Sequence, residues 1–147
     1  MLNHKAPEFA RRGLNGSSAG SAVNSTVNLR SLRGKVVLLN FWATWCAPCQ
    51  TEIPEFAAWQ RKYGPAGLQV IGISMDDSEE PVRKAIARLR PDYPMVMGDA
   101  KLGELYGGVL GLPLTFLIDR SGIVRAQVQG AADLKTMEKR IQELLKR

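Results

Sequence analysis

At 147 residues the chain is long enough for one well-packed domain and too short for two ordinary ones. Hydrophobic residues make up 45% and charged residues 23%, an ordinary globular composition. The net charge of +6 invites a nucleic-acid reading. The basic residues are scattered, however, with no recognition helix, metal finger or aromatic-basic interleaving, so a solvated basic surface and no nucleic-acid partner are expected.

No apolar run reaches the roughly 18 residues of a membrane span, and the N-terminus MLNHKAPEFARRG lacks the apolar core of a secretory leader. Two locations stay open at this point: the cytoplasm, or outside it as the mature part of an exported or anchored protein. Residues 15–26, NGSSAGSAVNST, read as a flexible loop or long hairpin connection. VVLLNF (36–41) is a continuous apolar run with β-branched residues, as in a strand buried on both faces. From Pro48 the pattern turns helical, with Phe56, Trp59 and Tyr63 on one stripe and YGPAG as the stop. Pro54 inside it predicts a kink.

LQVIGIS (68–74) reads as a second buried strand. Asp76 and Asp77 fall in the loop after it, with no catalytic role in this reading. A helix follows with Ser78 as N-cap and Pro81 in its first turn. Its apolar face is Val82, Ala85, Ile86 and Leu89, at i, i+3, i+4 and i+7. YPMVM reads as a short strand and AKLGELYGGV as a short helix ended by glycines. LTFLID (114–119), the turn RSG and IVRAQVQG (123–130) form a hairpin. The last helix turns Leu134, Met137, Ile141, Leu144 and Leu145 inward. Strands alternating with helices predict a mostly parallel sheet covered on both faces, the late hairpin adding antiparallel edge strands.

The only two cysteines, Cys46 and Cys49, are separated by Ala47 and Pro48 in FWATWCAPCQTEIP (41–54). A structural zinc site needs four ligands, and the only histidine is His4. Haem attachment wants a histidine after the second cysteine, where Gln50 stands. A purely structural disulfide closing so small a loop would constrain the unfolded chain little. A redox pair explains the placement better. Cys46 lies between a buried strand and a helix start, where free N–H groups and the helix dipole favour a thiolate. Cys49, one turn on, is placed to resolve a mixed disulfide. Pro48 stiffens the four-residue ring, and Trp45 offers a flat apolar shoulder for an unfolded substrate segment.

VVLLNFWATWCAPCQTEIPEF together with GLPLTFLIDRSGIV resembles the thioredoxin-like thiol-disulfide oxidoreductases of the ResA/TlpA type. The resemblance runs from APEF through SLRGK to the last helix. It implies one thioredoxin-like α/β domain over residues 1–147, with a mixed central sheet flanked by helices and an extra N-terminal β-hairpin. It also implies that Cys46 attacks, Cys49 resolves, Pro113 is the cis-proline facing the disulfide, and Leu112 offers its backbone to a substrate strand. Ordinary thioredoxins carry a proton-accepting Asp where Asn40 stands here; in the ResA/TlpA type a Glu three residues after the second cysteine is present, and Glu52 matches it. As i and i+3 share a helix face, Glu52 is the candidate proton acceptor for Cys49. Asn40 is expected in a buried hydrogen-bond network, and Glu55 on the surface. The pair after Pro113 is Leu114 and Thr115 rather than two threonines, which bears on substrate preference and redox poise.

The implied function is reduction of disulfides in protein substrates, with apocytochrome c or other exported thiol proteins as clients. A membrane thiol carrier would supply electrons to a monomer outside the cytoplasm. No cofactor beyond the Cys46–Cys49 disulfide and no metal is implied. Two alternatives stand beside this. One is a thiol peroxidase of the peroxiredoxin-like branch, which shares the APxF opening; Thr44, two residues before Cys46, does not fit its spacing. The other is a non-catalytic binding module on the same scaffold.

Overall fold

The computed structural model describes residues 1–17 and 22–147. Strand β1 (Ala10–Arg12) pairs antiparallel with β2 (Thr26–Asn28), which is the expected N-terminal hairpin. A 3₁₀ turn at Leu29–Leu32 leads into β3 (Val36–Trp42), all seven residues of which are buried. That burial follows from position: β3 lies in the middle of a five-stranded sheet of order β5-β4-β3-β6-β7. Strands β4 (Leu68–Ser74) and β5 (Met95–Met97) run parallel to β3. Strand β6 (Leu114–Ile118) is antiparallel to β3, and β7 (Val124–Gln129) is antiparallel to β6.

Two expectations are corrected here. Only β7 of the late hairpin is an edge strand; β6 is interior and buried at every position because β3 flanks its other side. The segment 15–26 is not loose throughout, although its centre, 18–21, lies outside the described residues. Asn15 is buried, donating from Nδ2 to Tyr93 O at 3.0 Å and accepting at Oδ1 from Met95 N at 2.8 Å. Beside it, Leu14 N donates to Met95 O at 2.8 Å and Gly13 bridges Val96. The N-terminal chain thus covers the open side of β5. Near its start, Asn3 N donates to Val124 O at 2.8 Å and Val124 N to His4 O at 2.9 Å, beside β7. Covering strand edges in this way blocks pairing with other chains.

Helix α1 (Ala47–Tyr63) runs on through Pro54, which is exposed and removes one N–H donor from the helix ladder without ending the helix. Helices α2 (Glu79–Leu89) and α4 (Leu134–Leu145) pack with α1 on one face of the sheet, through Val82, Ala85, Met137, Ile141 and Leu144. Ser78 sits at the α2 N-cap without a side-chain cap bond. The opposite face is covered by α3 (Ala100–Leu105) and by Ala6, Phe9, Val27 and Leu29. Strand alternation divides β3 between them: Val36, Leu38 and Trp42 face α1, while Val37, Leu39 and Phe41 face away. Gly72 of β4 leaves room for Met95 and Trp42, since a Cβ there would collide with the Met95 sulfur and lie 3.2 Å from the indole Nε1.

Candidate active site at the end of the central strand

The chain leaves β3 at Trp42 and turns over four residues, Cys46 N donating to Ala43 O at 3.1 Å. Cys46 is the N-cap of α1, with extended φ −99° and ψ 105°, and Pro48 falls in the first turn. A proline fits there because the first helical N–H groups have no intrahelical partner. Cys46 and Cys49 are joined as a disulfide with their Cα atoms 5.3 Å apart. Both sulfur-bearing residues are buried, but Trp45, the third residue of the turn, is 72% exposed, and Ala47 and Pro48 are exposed beside it.

The register Phe41↔Leu114 places the start of β6 at the same end of the sheet as the cysteine turn. There the Leu112–Pro113 peptide bond is cis. Pro113 is buried, its carbonyl accepting from Gly130 N at 2.8 Å, and Leu112 is half-buried against the cores of both faces. Two residues before it, Leu110 is 97% exposed. Trp45 and Leu110 are large apolar side chains in water at one end of the sheet. Leu110 did not register in the sequence, where one leucine in a glycine-flanked stretch carries no pattern.

Glu52, one turn beyond Cys49 in α1, is only 4% exposed. Its Oε2 accepts a hydrogen bond from Ala132 N at 2.8 Å, and its Oε1 has no partner. Burial pushes its pKa up, against the lowering effect of the Ala132 N–H. The same charge reaches Tyr93, a fully buried tyrosine whose hydroxyl is raised mainly by burial and further by Glu52. Among the described residues four buried side-chain atoms lack partners: Asn40 Oδ1, Trp42 Nε1, Glu52 Oε1 and Tyr93 Oη. Trp42, Tyr93 and Cys49 belong to one packed cluster on the α1 face. Asn40 reaches that layer by strand alternation and donates to Thr115 Oγ1 at 3.1 Å across β6. Unpaired buried polar atoms are rare and expensive, and these sit in the layer behind the disulfide. Glu55 is exposed on the same helix.

Asp76 is not a bystander of the loop after β4. It is 8% exposed and accepts from Thr44 N at 3.0 Å, Thr44 Oγ1 at 2.5 Å and Ser74 Oγ at 2.7 Å. The register Trp42↔Ser74 creates this meeting, because two parallel strands that end together bring their following loops side by side. Asp77 is exposed. Among the described residues no group of three or more His, Cys, Asp or Glu is placed to hold a metal, and no helix is long and apolar enough to cross a membrane.

A mixed five-stranded sheet, a disulfide at the first turn of the helix after the central strand, and a cis-proline at the same sheet end define a thioredoxin-like thiol-disulfide oxidoreductase. The chain belongs to the AhpC/TSA family, whose model matches residues 2–127. It is 29% identical over 145 residues to thiol-disulfide oxidoreductase ResA of Bacillus thuringiensis subsp. konkukian (97% of this chain, 78% of the relative). Thioredoxin-like protein YneN of Bacillus subtilis is 30% identical over 140 residues (93% and 76%). A crystal structure of a Chlorobium tepidum protein assigned as thiol:disulfide interchange protein DsbE superposes with TM-score 0.86 at 33% identity, covering 99% of this chain and 98% of that one.

Proposed function

We propose that the chain reduces disulfides in exported proteins, acting as one thioredoxin-like domain over residues 1–147. The Cys46 thiolate attacks one sulfur of a client disulfide; a Cys46–client disulfide forms and the first client thiolate leaves. Cys49 gives its proton to Glu52, and the Cys49 thiolate attacks Cys46 Sγ. The Cys46–Cys49 bond closes and the second client thiolate leaves, so two electrons pass from the dithiol to the client. The observation that carries this reading is Glu52: a buried carboxylate of raised proton affinity, one helical turn from Cys49, with one oxygen unpartnered. A base of that kind serves the resolving step, which a reductase must complete.

Trp45, Pro48 and Leu110 supply the apolar ground on which an unfolded client segment rests, and the Leu112 backbone beside Pro113 aligns it. The reading carries over from the ResA/TlpA resemblance a place outside the cytoplasm, clients such as apocytochrome c, and a membrane thiol carrier as electron donor. The test is the midpoint potential of the Cys46–Cys49 couple. A value below about −240 mV, near thioredoxin, is expected; one above about −180 mV makes the protein an oxidant or isomerase and ends the reductase reading.

A further inference from the structure

We propose that Asp76 is a positioning residue for the attacking cysteine, acting through Thr44. The proposal rests on Cys46 being the nucleophile. Thr44 is the second residue of the four-residue turn that delivers Cys46, and every polar group it has is held from outside the turn. Its N–H and hydroxyl both donate to the Asp76 carboxylate, at 3.0 and 2.5 Å. Its carbonyl accepts from the Gln50 side-chain amide. Each holder is itself held. Asp76 accepts from Ser74 Oγ at 2.7 Å and its own N–H donates back to Ser74 Oγ at 3.0 Å. Gln50 Oε1 accepts from Arg88 Nη2 of α2 at 3.0 Å.

The turn's internal bond, Cys46 N to Ala43 O at 3.1 Å, spans the turn without touching Thr44. The Asp76 carboxylate fixes Thr44 from one side and Gln50 from the other. Trp45, the next residue, makes no such bond and points into water at 72% exposure. Fixing Thr44 therefore sets both the direction of the Cys46 sulfur and the presentation of the indole. Disulfide exchange needs the attacking sulfur in line with the bond it breaks, and a misplacement of about 1 Å costs up to about a hundredfold in rate. Asp76 touches neither sulfur nor client; its effect travels through the Thr44 backbone.

The test measures single-turnover reduction of a small aromatic disulfide by the reduced protein at 25 °C, using Asp76→Ala, Asp76→Asn and Thr44→Val. A remote control is Gln60→Ala, which removes buried bonds to Leu68 O and Val70 N at the far end of α1. Asp76→Ala is expected to be about tenfold slower than the unaltered protein. Asp76→Asn, which keeps an oxygen for the Thr44 N–H, should recover part of that loss, and Gln60→Ala should react at the normal rate despite lost stability. An Asp76→Ala rate within twofold of normal, or an equal fall in Gln60→Ala, overturns the proposal. If Asp76→Ala does not fold, the same criterion is read from Asp76→Asn and Thr44→Val, for which about threefold slowing is expected. Cys46→Ser run alongside separates the two claims: if it still reduces the probe, the nucleophile assignment fails, whatever Asp76 does.

Discussion

Glu52 and Asp119 are carboxylates of similar burial, 4% and 8% exposed, that the protein treats in opposite ways. Asp119 closes the β6–β7 turn. Burial pushes its pKa up, but the N–H groups of Ile123 and Ser121 and the Arg125 guanidinium outweigh that and hold it below the ordinary range. Both of its oxygens are used: Oδ1 by Ser121 N at 2.9 Å and Ile123 N at 3.0 Å, Oδ2 by Arg125 Nε at 2.8 Å. Glu52 has the burial without that company, one backbone N–H and one bare oxygen. A saturated carboxylate stays ionised to lower pH and ties a turn together. A half-satisfied one keeps its affinity for a proton, which is what a proton acceptor for a thiol requires.

The contrast is tested hardest by Glu52→Gln, which keeps the shape and an oxygen for Ala132 N–H but cannot take a proton. Release of the second client thiol from a Cys46 mixed disulfide should slow by about a hundredfold, the lower end of the range for general-base catalysis. A rate within threefold of normal would give the proton to water instead and leave Glu52 a buried residue with no such role. The converse substitution, Asp119→Ala, should cost about 2 kcal/mol in denaturant unfolding, because two N–H groups and a guanidinium lose a charged acceptor. Its disulfide-reduction rate should stay normal under conditions where it is folded. A fall in that rate would mean that the turn also serves the site, and the division between the two carboxylates would fail.

The two carboxylates also mark how far the sequence could be read. The strands around VVLLNF and LQVIGIS were legible because a run of β-branched residues has few uses besides a doubly covered strand. Glu52 was legible as a candidate because helix periodicity is local, so three residues from Cys49 means the same face. What escaped depends on pairings distant along the chain. Asp76 meets Thr44 only because β3 and β4 end together at Trp42 and Ser74, and no local pattern announces that. Tyr93 comes within electrostatic reach of Glu52 across 41 positions of sequence, again with no local pattern to announce it. β6 was expected at an edge since LTFLID reads alike for an edge or an interior strand; pairing with β3 decides it. Asn15, in a polar stretch, has the composition of a loop, yet its amide satisfies two backbone groups flanking Pro94.

The smallest effect is the pH dependence of stability, and it separates the two carboxylates by sign. Glu52 binds its proton more tightly in the folded than in the unfolded chain, whose value is near 4.5. Between that value and the raised one the folded state carries more protons, so stability falls as pH rises through this window and then levels. Gln mimics the protonated form. The unaltered protein and Glu52→Gln should therefore be equally stable below about pH 4.5, with the unaltered protein becoming the weaker of the two toward neutrality. Asp119 runs the other way. Its folded value lies below the ordinary 3.8, so its contribution is complete above that pH and is lost as pH falls through the folded value. The difference between the unaltered protein and Asp119→Asn should be flat from neutrality down to about pH 4 and shrink below it. Asp99 and Asp133, whose values are also lowered, cancel from both differences because they are present in every variant. Denaturant unfolding from pH 3 to 8 reads both curves on the same proteins. A flat Glu52 difference across that range would mean that its carboxylate pays no desolvation cost, and the physical basis for its choice as proton acceptor would be gone.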